Sequence, residues 1–505
     1  MSTAKRVIKN TGFLYAKMGI TVFISLYTTR LILNALGASD FGIFNIVGGA
    51  IAMLGFLNAA MASATQRFMS YAEGEGNKEK QKTIFNISFV LHLFIALIFI
   101  VVLIIAGYFF FNGILNIEKN RIFAAKIVYA SLIVSTAFTV MTVPYDAVMN
   151  ARENMLYYAI VGIIESVLKL CVALAVVFFT GDKLILYGIL MAGIPIVIMT
   201  IMRIYCHKNY DECVIAPKKY WDAKLMNEMR SFAGWNLVGI SGSMITNYGR
   251  NIVGNSFFGT PLNAALAIVA QLNGQILAVS NNLLKAVNPI IVKNEGLGKR
   301  EDMLSVSLTT CKISFFLYSI FAIPLFVNTQ IIFMLWLKHV PIYAVILFKI
   351  FIFQVIIEQV SLPLGTILSA IGKIKGYNIL STVIMFFSLI VMYVLFSIGF
   401  EPYSFMYVSL ISAFLILLIK VKFCNEFSNL SIASYSKQIF LPSVVIFITG
   451  LILVSFIINK IQGDIYKLIF STLTSLIYLV ISSYFMLFNT IERKTVTKII
   501  SKIKF

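Results

Sequence analysis

Long, largely apolar stretches recur along the whole chain, and their length decides what it can fold into. A helix needs about 20 such residues to cross a bilayer. Fourteen candidates follow one another: 11–36, 41–66, 84–111, 122–148, 155–180, 184–206, 231–257, 261–291, 303–327, 341–370, 377–399, 402–424, 438–459 and 465–489. Composition agrees. Of the 505 residues, 59% are hydrophobic and 12% charged, against about 45–50% and about 25% in an ordinary soluble domain. That balance excludes a disordered chain, a secreted disulfide scaffold and a typical soluble enzyme. The first stretch follows Lys5, Arg6 and Lys9 as a signal peptide would. Its length, its internal Lys17 and Arg30 and the spans behind it mark a true span.

The charge is 41 − 21 = +20. In a soluble protein this would suggest nucleic acid; in a membrane protein Lys and Arg collect in cytoplasmic loops. With the N-terminus inside, alternate loops hold 27 basic residues on the inner side and 6 (Lys119, Arg121, Lys183, Lys338, Lys460 and Lys467) on the outer. The sequence therefore predicts an inner-membrane protein with both termini cytoplasmic and no nucleic-acid partner. The longest connection, 207–230, carries Trp221, Leu225 and Met229 at helical spacing and reads as an amphipathic connector on the membrane surface. Five scattered cysteines (Cys171, Cys206, Cys213, Cys311 and Cys424) and three separated histidines (His92, His207 and His339) show no metal-ligand spacing. No metal site and no cofactor are expected.

Landmarks recur at a nearly constant offset. Arg30 matches Arg250 at 220, Glu73-Gly74-Glu75-Gly76 matches Glu295-Gly296-Leu297-Gly298 at 222, Pro144 matches Pro363 at 219 and Cys206 matches Cys424 at 218. The offset contains six spans, an even number, so both halves share one orientation and form a parallel repeat. This predicts an all-α polytopic membrane protein in which two six-helix lobes form a V-shaped cleft. The N-terminal lobe is 1–210, the amphipathic connector 211–230 and the C-terminal lobe 231–430. Residues 431–505 supply two extra helices and a basic cytoplasmic tail.

The residues Asn10-Thr11, the outer turn Leu36-Gly37-Ala38-Ser39-Asp40-Phe41-Gly42-Ile43-Phe44, the basic inner loop after Glu73, and Pro363 followed by Ala370-Ile371-Gly372-Lys373 together resemble the MOP superfamily. This superfamily contains the multidrug and toxin extrusion (MATE) pumps and the lipid-linked oligosaccharide flippases. Within it, the chain is most similar to the polysaccharide-biosynthesis, O-antigen (Wzx-type) flippase branch. The resemblance implies alternating access and export of an undecaprenyl-diphosphate-linked oligosaccharide, an O-antigen or capsule repeat unit, with polysaccharide polymerase machinery as a partner. It implies no enzyme activity.

A charge inside a span costs about 2.5–3.5 kcal/mol on insertion scales and by default points to function; near a span end it can instead snorkel to the headgroups. Arg30 and Arg250 occupy matched depths, and guanidinium groups bind diphosphate through two parallel hydrogen bonds. With Lys17 and Lys285 they are the expected substrate cations. Asn247, Gln271 and Gln275, on the polar faces of the seventh and eighth spans, are expected to meet sugar hydroxyls, against the plainer reading of interhelical hydrogen bonds. Glu165 and Lys169, at i and i+4, can neutralise each other. Glu358 has no opposite charge at i±3 or i±4, so it is the better candidate for coupling to H⁺ or Na⁺. Pro144 and Pro363 each remove a helix hydrogen bond and form a matched hinge. A cation-coupled multidrug exporter of the same fold is the alternative, a lipid II flippase a near neighbour, and a membrane glycosyltransferase or polymerase a distant third.

Overall fold

A computed structural model describes residues 3–52, 55–114, 117–337, 340–490 and 492–494. Lys338, His339, Lys498, Lys502 and Lys504 lie outside the described residues. The fold is 89% helical, with no strand among the described residues. In hydrocarbon a helix satisfies its own backbone groups, and this chain adds caps where helices begin. Asn77 accepts from Lys80 N at 3.0 Å and starts α3 (Lys78–Phe109). Asn154 does the same for α5 (Met155–Phe178).

Twelve of the described helices are long and apolar enough to cross a membrane, not fourteen. The expected spans 41–66 and 231–257 are the two that fall short. Their described residues are helical, but polar residues dilute them. The first is divided between α1 (Thr3–Ala52), which breaks at Gly37, and α2 (Gly55–Glu75). The second lies in α7 (Ala223–Phe258). Gly37 has φ 77°, a conformation open to glycine without a Cβ clash, and it forms the break the Leu-Gly turn predicts.

The chain separates into two compact units. The first holds Met1–Leu237 and Val292–Gly298. In it α4 (Ile122–Ala151) packs on α6 (Lys183–Asn209), and α1 packs on α5. Within the 207–230 connector the chain leaves the helix at Tyr210 and is helical again from Ala223. Trp221 precedes α7 and is exposed, whereas Leu225 and Met229 are buried in its first turns. The segment before α7 is strapped down: Asn86 donates to Val214 O and accepts from Ala216 N, both at 2.7 Å.

The second unit holds Val238–Ile291 and Lys299–Phe505. It contains most of α8 (Thr260–Gly296), α9 (Arg300–Val327), a short α10 (Thr329–Trp336), α11 (Ala344–Ile371), α12 (Lys375–Ser397) and α13 (Ser404–Ser428). After a single turn, α14 (Ile432–Tyr435), come α15 (Leu441–Ile458) and α16 (Asp464–Ser482). The last two helices belong to this unit and pack on α9. The repeat is visible in matched local contacts. In the first unit the Cys206 thiol donates to Tyr145 O, next to Pro144; in the second the Cys424 thiol donates to Leu364 O, next to Pro363.

Candidate functional site

Helix α7 presents a polar row, Ser243, Thr246, Asn247 and Arg250, at three- and four-residue spacing, which places it on one face. On its packed side Gly239 and Gly242 meet Asn378 and Thr382 of α12, where an added Cβ would come within 3.0 and 2.8 Å. The row faces α11, α12 and α13 across a cavity of about 150 Å³, lined there by Gln354, Glu358, Ser388, Ser409 and Ser412.

Two charges meet there. The Arg250 guanidinium lies 5.5 Å from the Phe405 ring centroid. Among the described residues Glu358 is the acid whose field reaches it. Among the described residues Arg250 forms no hydrogen bond or ion pair, and it lines the cavity. Glu358 Oε1 accepts from Gln354 Nε2 at 2.8 Å, while Gln354 Oε1 is buried without a donor. Glu358 also feels Lys420, whose Nζ donates to Ser361 Oγ at 3.3 Å in the interior of the unit.

Of the sequence-predicted residues, the structure brings Arg250, Asn247 and Glu358 together. Gln271 and Gln275 lie exposed on α8, outside this cavity, and Lys285 is half-buried on the same helix. On the first unit Arg30 is exposed on α1. Lys17 sits with its Nζ 4.5 Å from the Tyr158 ring centroid, its chain filling the notch left by Gly162. The Glu165–Lys169 ion pair forms at 2.6 Å. Pro144 and Pro363 are buried inside α4 and α11. Two site residues escape a reading of the sequence. Gln354 is an amide, invisible to a search for opposite charge at i−4 from Glu358. Lys420 lies so near the inner end of its span that it counts as a loop residue, yet it is buried. Lys312, another charge inside a span, is held at 2.7 Å by Glu492 from beyond α16.

No family model matches the chain, and no curated protein does. Solved structures do. An outward-facing multidrug resistance MATE family transporter of the MOP superfamily superposes with a TM-score of 0.71 at 11% identity, over 84% of this chain and 96% of that one. The chain has the MATE fold. The MATE transporter ClbM in complex with Rb⁺ gives a TM-score of 0.69 at 16% identity, over 86% and 96%. A MOP superfamily transporter from Pyrococcus furiosus, described as having a binding pocket of reverse polarity that suggests a different function, gives 0.69 at 12%, also over 86% and 96%. In this MATE fold the cavity is built from the second sequence repeat alone, by α7, α11, α12 and α13.

Proposed function

We propose that the chain is a multi-pass transporter of the cell inner membrane that moves an undecaprenyl-diphosphate-linked oligosaccharide outward by alternating access. The observation that carries this reading is the Arg250 guanidinium, open to a polar cavity inside apolar helices. The diphosphate docks on Arg250, and the hydroxyls and amides around it, Asn247 among them, meet sugar hydroxyls. The prenyl tail stays in lipid, where it costs nothing; the polar head is the barrier, and a wet cavity lowers it. Arg30 is the matched position of the first repeat and is tested alongside.

The test is surface polysaccharide in a deletion strain complemented with each variant, with membrane protein level measured in parallel. Arg250→Ala and Arg30→Ala lose export, Arg→Lys restores part of it because the point charge remains without the fork, and Arg→Glu is worst. Normal export by the Ala and Glu variants at equal protein level would make these arginines headgroup anchors. The second reading, a multidrug exporter, is favoured by the likeness to a multidrug resistance transporter. It expects drug accumulation to rise in the deletion strain with surface glycan unchanged.

A further inference from the structure

We propose that Glu358 is the internal stand-in for the substrate's anion: in the empty cavity it balances Arg250, and a diphosphate oxygen displaces it when the ligand binds. This rests on the reading above and departs from the expectation that Glu358 carries a coupling cation.

Charge and geometry support it together. Two basic side chains, Arg250 and Lys420, bear on one acidic side chain, Glu358, so the described cluster holds one more basic group than acidic. A buried cluster of that sign attracts an anion and disfavours a further cation. Lys420 is committed to Ser361, and Gln354 holds one oxygen of Glu358. Arg250 is different. It is within the field of Glu358 and lines the same cavity, but among the described residues makes no ion pair with it, and its guanidinium lies 5.5 Å from the Phe405 ring centroid. Such an arginine exchanges one anion for another without ever being left uncompensated, which avoids the penalty of an unpaired buried charge. Gln354 keeps the released carboxylate hydrogen-bonded while the ligand occupies the guanidinium. A cycle of this kind needs no transported cation at Glu358.

The experiment measures inorganic pyrophosphate binding to the full chain in lipid nanodiscs by calorimetry, with thermal unfolding recorded for every variant. Glu358→Gln removes the competing charge and binds about tenfold tighter or more than wild type. Glu358→Asp, which keeps the charge but draws it back by one methylene, falls between the two and keeps the test decisive if the Gln variant does not fold. Arg250→Gln abolishes binding in either background, and replacing sodium by choline changes nothing. Pyrophosphate binding by wild type that is unchanged or weaker in Glu358→Gln, or that requires sodium, overturns the exchange while leaving the diphosphate reading of Arg250 intact. A short-chain prenyl diphosphate serves as the second ligand. Competition by it supports exchange at a lipid headgroup; failure to compete, with pyrophosphate still bound tighter by Glu358→Gln, supports exchange with a free diphosphate and removes the lipid-linked substrate. No binding of either ligand by any folded variant overturns both proposals.

Discussion

At one end of the first unit one arginine ties three segments together. Arg121 Nε donates to Asp40 Oδ1 at 2.8 Å, and its Nη1 donates to Asp182 Oδ2 at 2.8 Å. Asp182 in turn caps α6, its Oδ1 accepting from Leu184 N and Ile185 N at 3.1 Å each. Partial burial pushes the Asp182 carboxyl up, but the Arg121 hydrogen bond and the two amides outweigh it, so its pKa lies below the ordinary 3.8. A carboxylate with a depressed folded pKa contributes stability that is fully present above the unfolded value and is lost as pH falls through the folded one. Asp182→Asn is therefore expected to lower the unfolding temperature at pH 7 and pH 5 alike. The difference from wild type should shrink only below pH 3.8. A difference that disappears between pH 7 and pH 5 would exclude Asp182 as its source. At this scale the sequence shows partners only when they are local. The Glu165–Lys169 pair is legible because one helical turn separates its members. The partners of Arg121 come from residues 81 and 61 positions away, and no spacing rule reaches that far.

Helices meet most closely where the repeat places glycine twice. A Cβ on Gly74 of α2 would lie 2.3 Å from Lys293 O, and one on Gly296 would lie 2.3 Å from Tyr71 O. The obstacle is backbone in both cases, so no rotamer change relieves it. Around this crossing Arg152 grips Glu212 with two bonds of 2.8 Å and reaches Glu73 at 3.1 Å, Lys293 reaches Glu73 at 3.3 Å, and Arg6 reaches Glu153 at 3.2 Å. Gly74→Ala and Gly296→Ala should each destabilise the first unit by about 1–3 kcal/mol through overpacking. Gly193→Ala in α6, with nothing within 4 Å, should be neutral or stabilising by about 1 kcal/mol from helix propensity. Thermal unfolding in nanodiscs compares the three; equal behaviour would mean that α2 and α8 do not need this approach. The matched Glu-Gly motifs are visible in the sequence as a repeat, but their contact with each other is not. Periodicity tells which residues are equivalent and is silent about which are adjacent.

For the whole molecule, the contacts constrain which helix ends share a side. Arg6, Glu73, Arg152, Glu153, Glu212 and Lys293 gather in one network, whereas Asp40, Arg121 and Asp182 gather in another. These are the two sets that loop alternation in the sequence sends to opposite faces. The apolar stretches made the all-helical class and most of the spans legible. By length and apolarity α2 and α7 fall short of the other helices because they carry more polar residues, and part of the polarity of α7 lines the cavity. On the basic bias the network of Arg6, Arg152 and Lys293 is expected to be the cytoplasmic one, because Lys and Arg are retained inside during insertion. Reporter fusions after Lys119 and after Lys183 should therefore read as external, beside the Arg121 cluster. A fusion after Lys218 should read as internal, beside Glu212. The third position decides the matter: an even number of crossings separates it from the N-terminus only if α1 and α2 together cross twice, the point at which hydropathy alone counts one. An external signal at Lys218 would mean an odd number of crossings before it, would reverse the sidedness of every helix that follows, and would overturn the six-span first repeat.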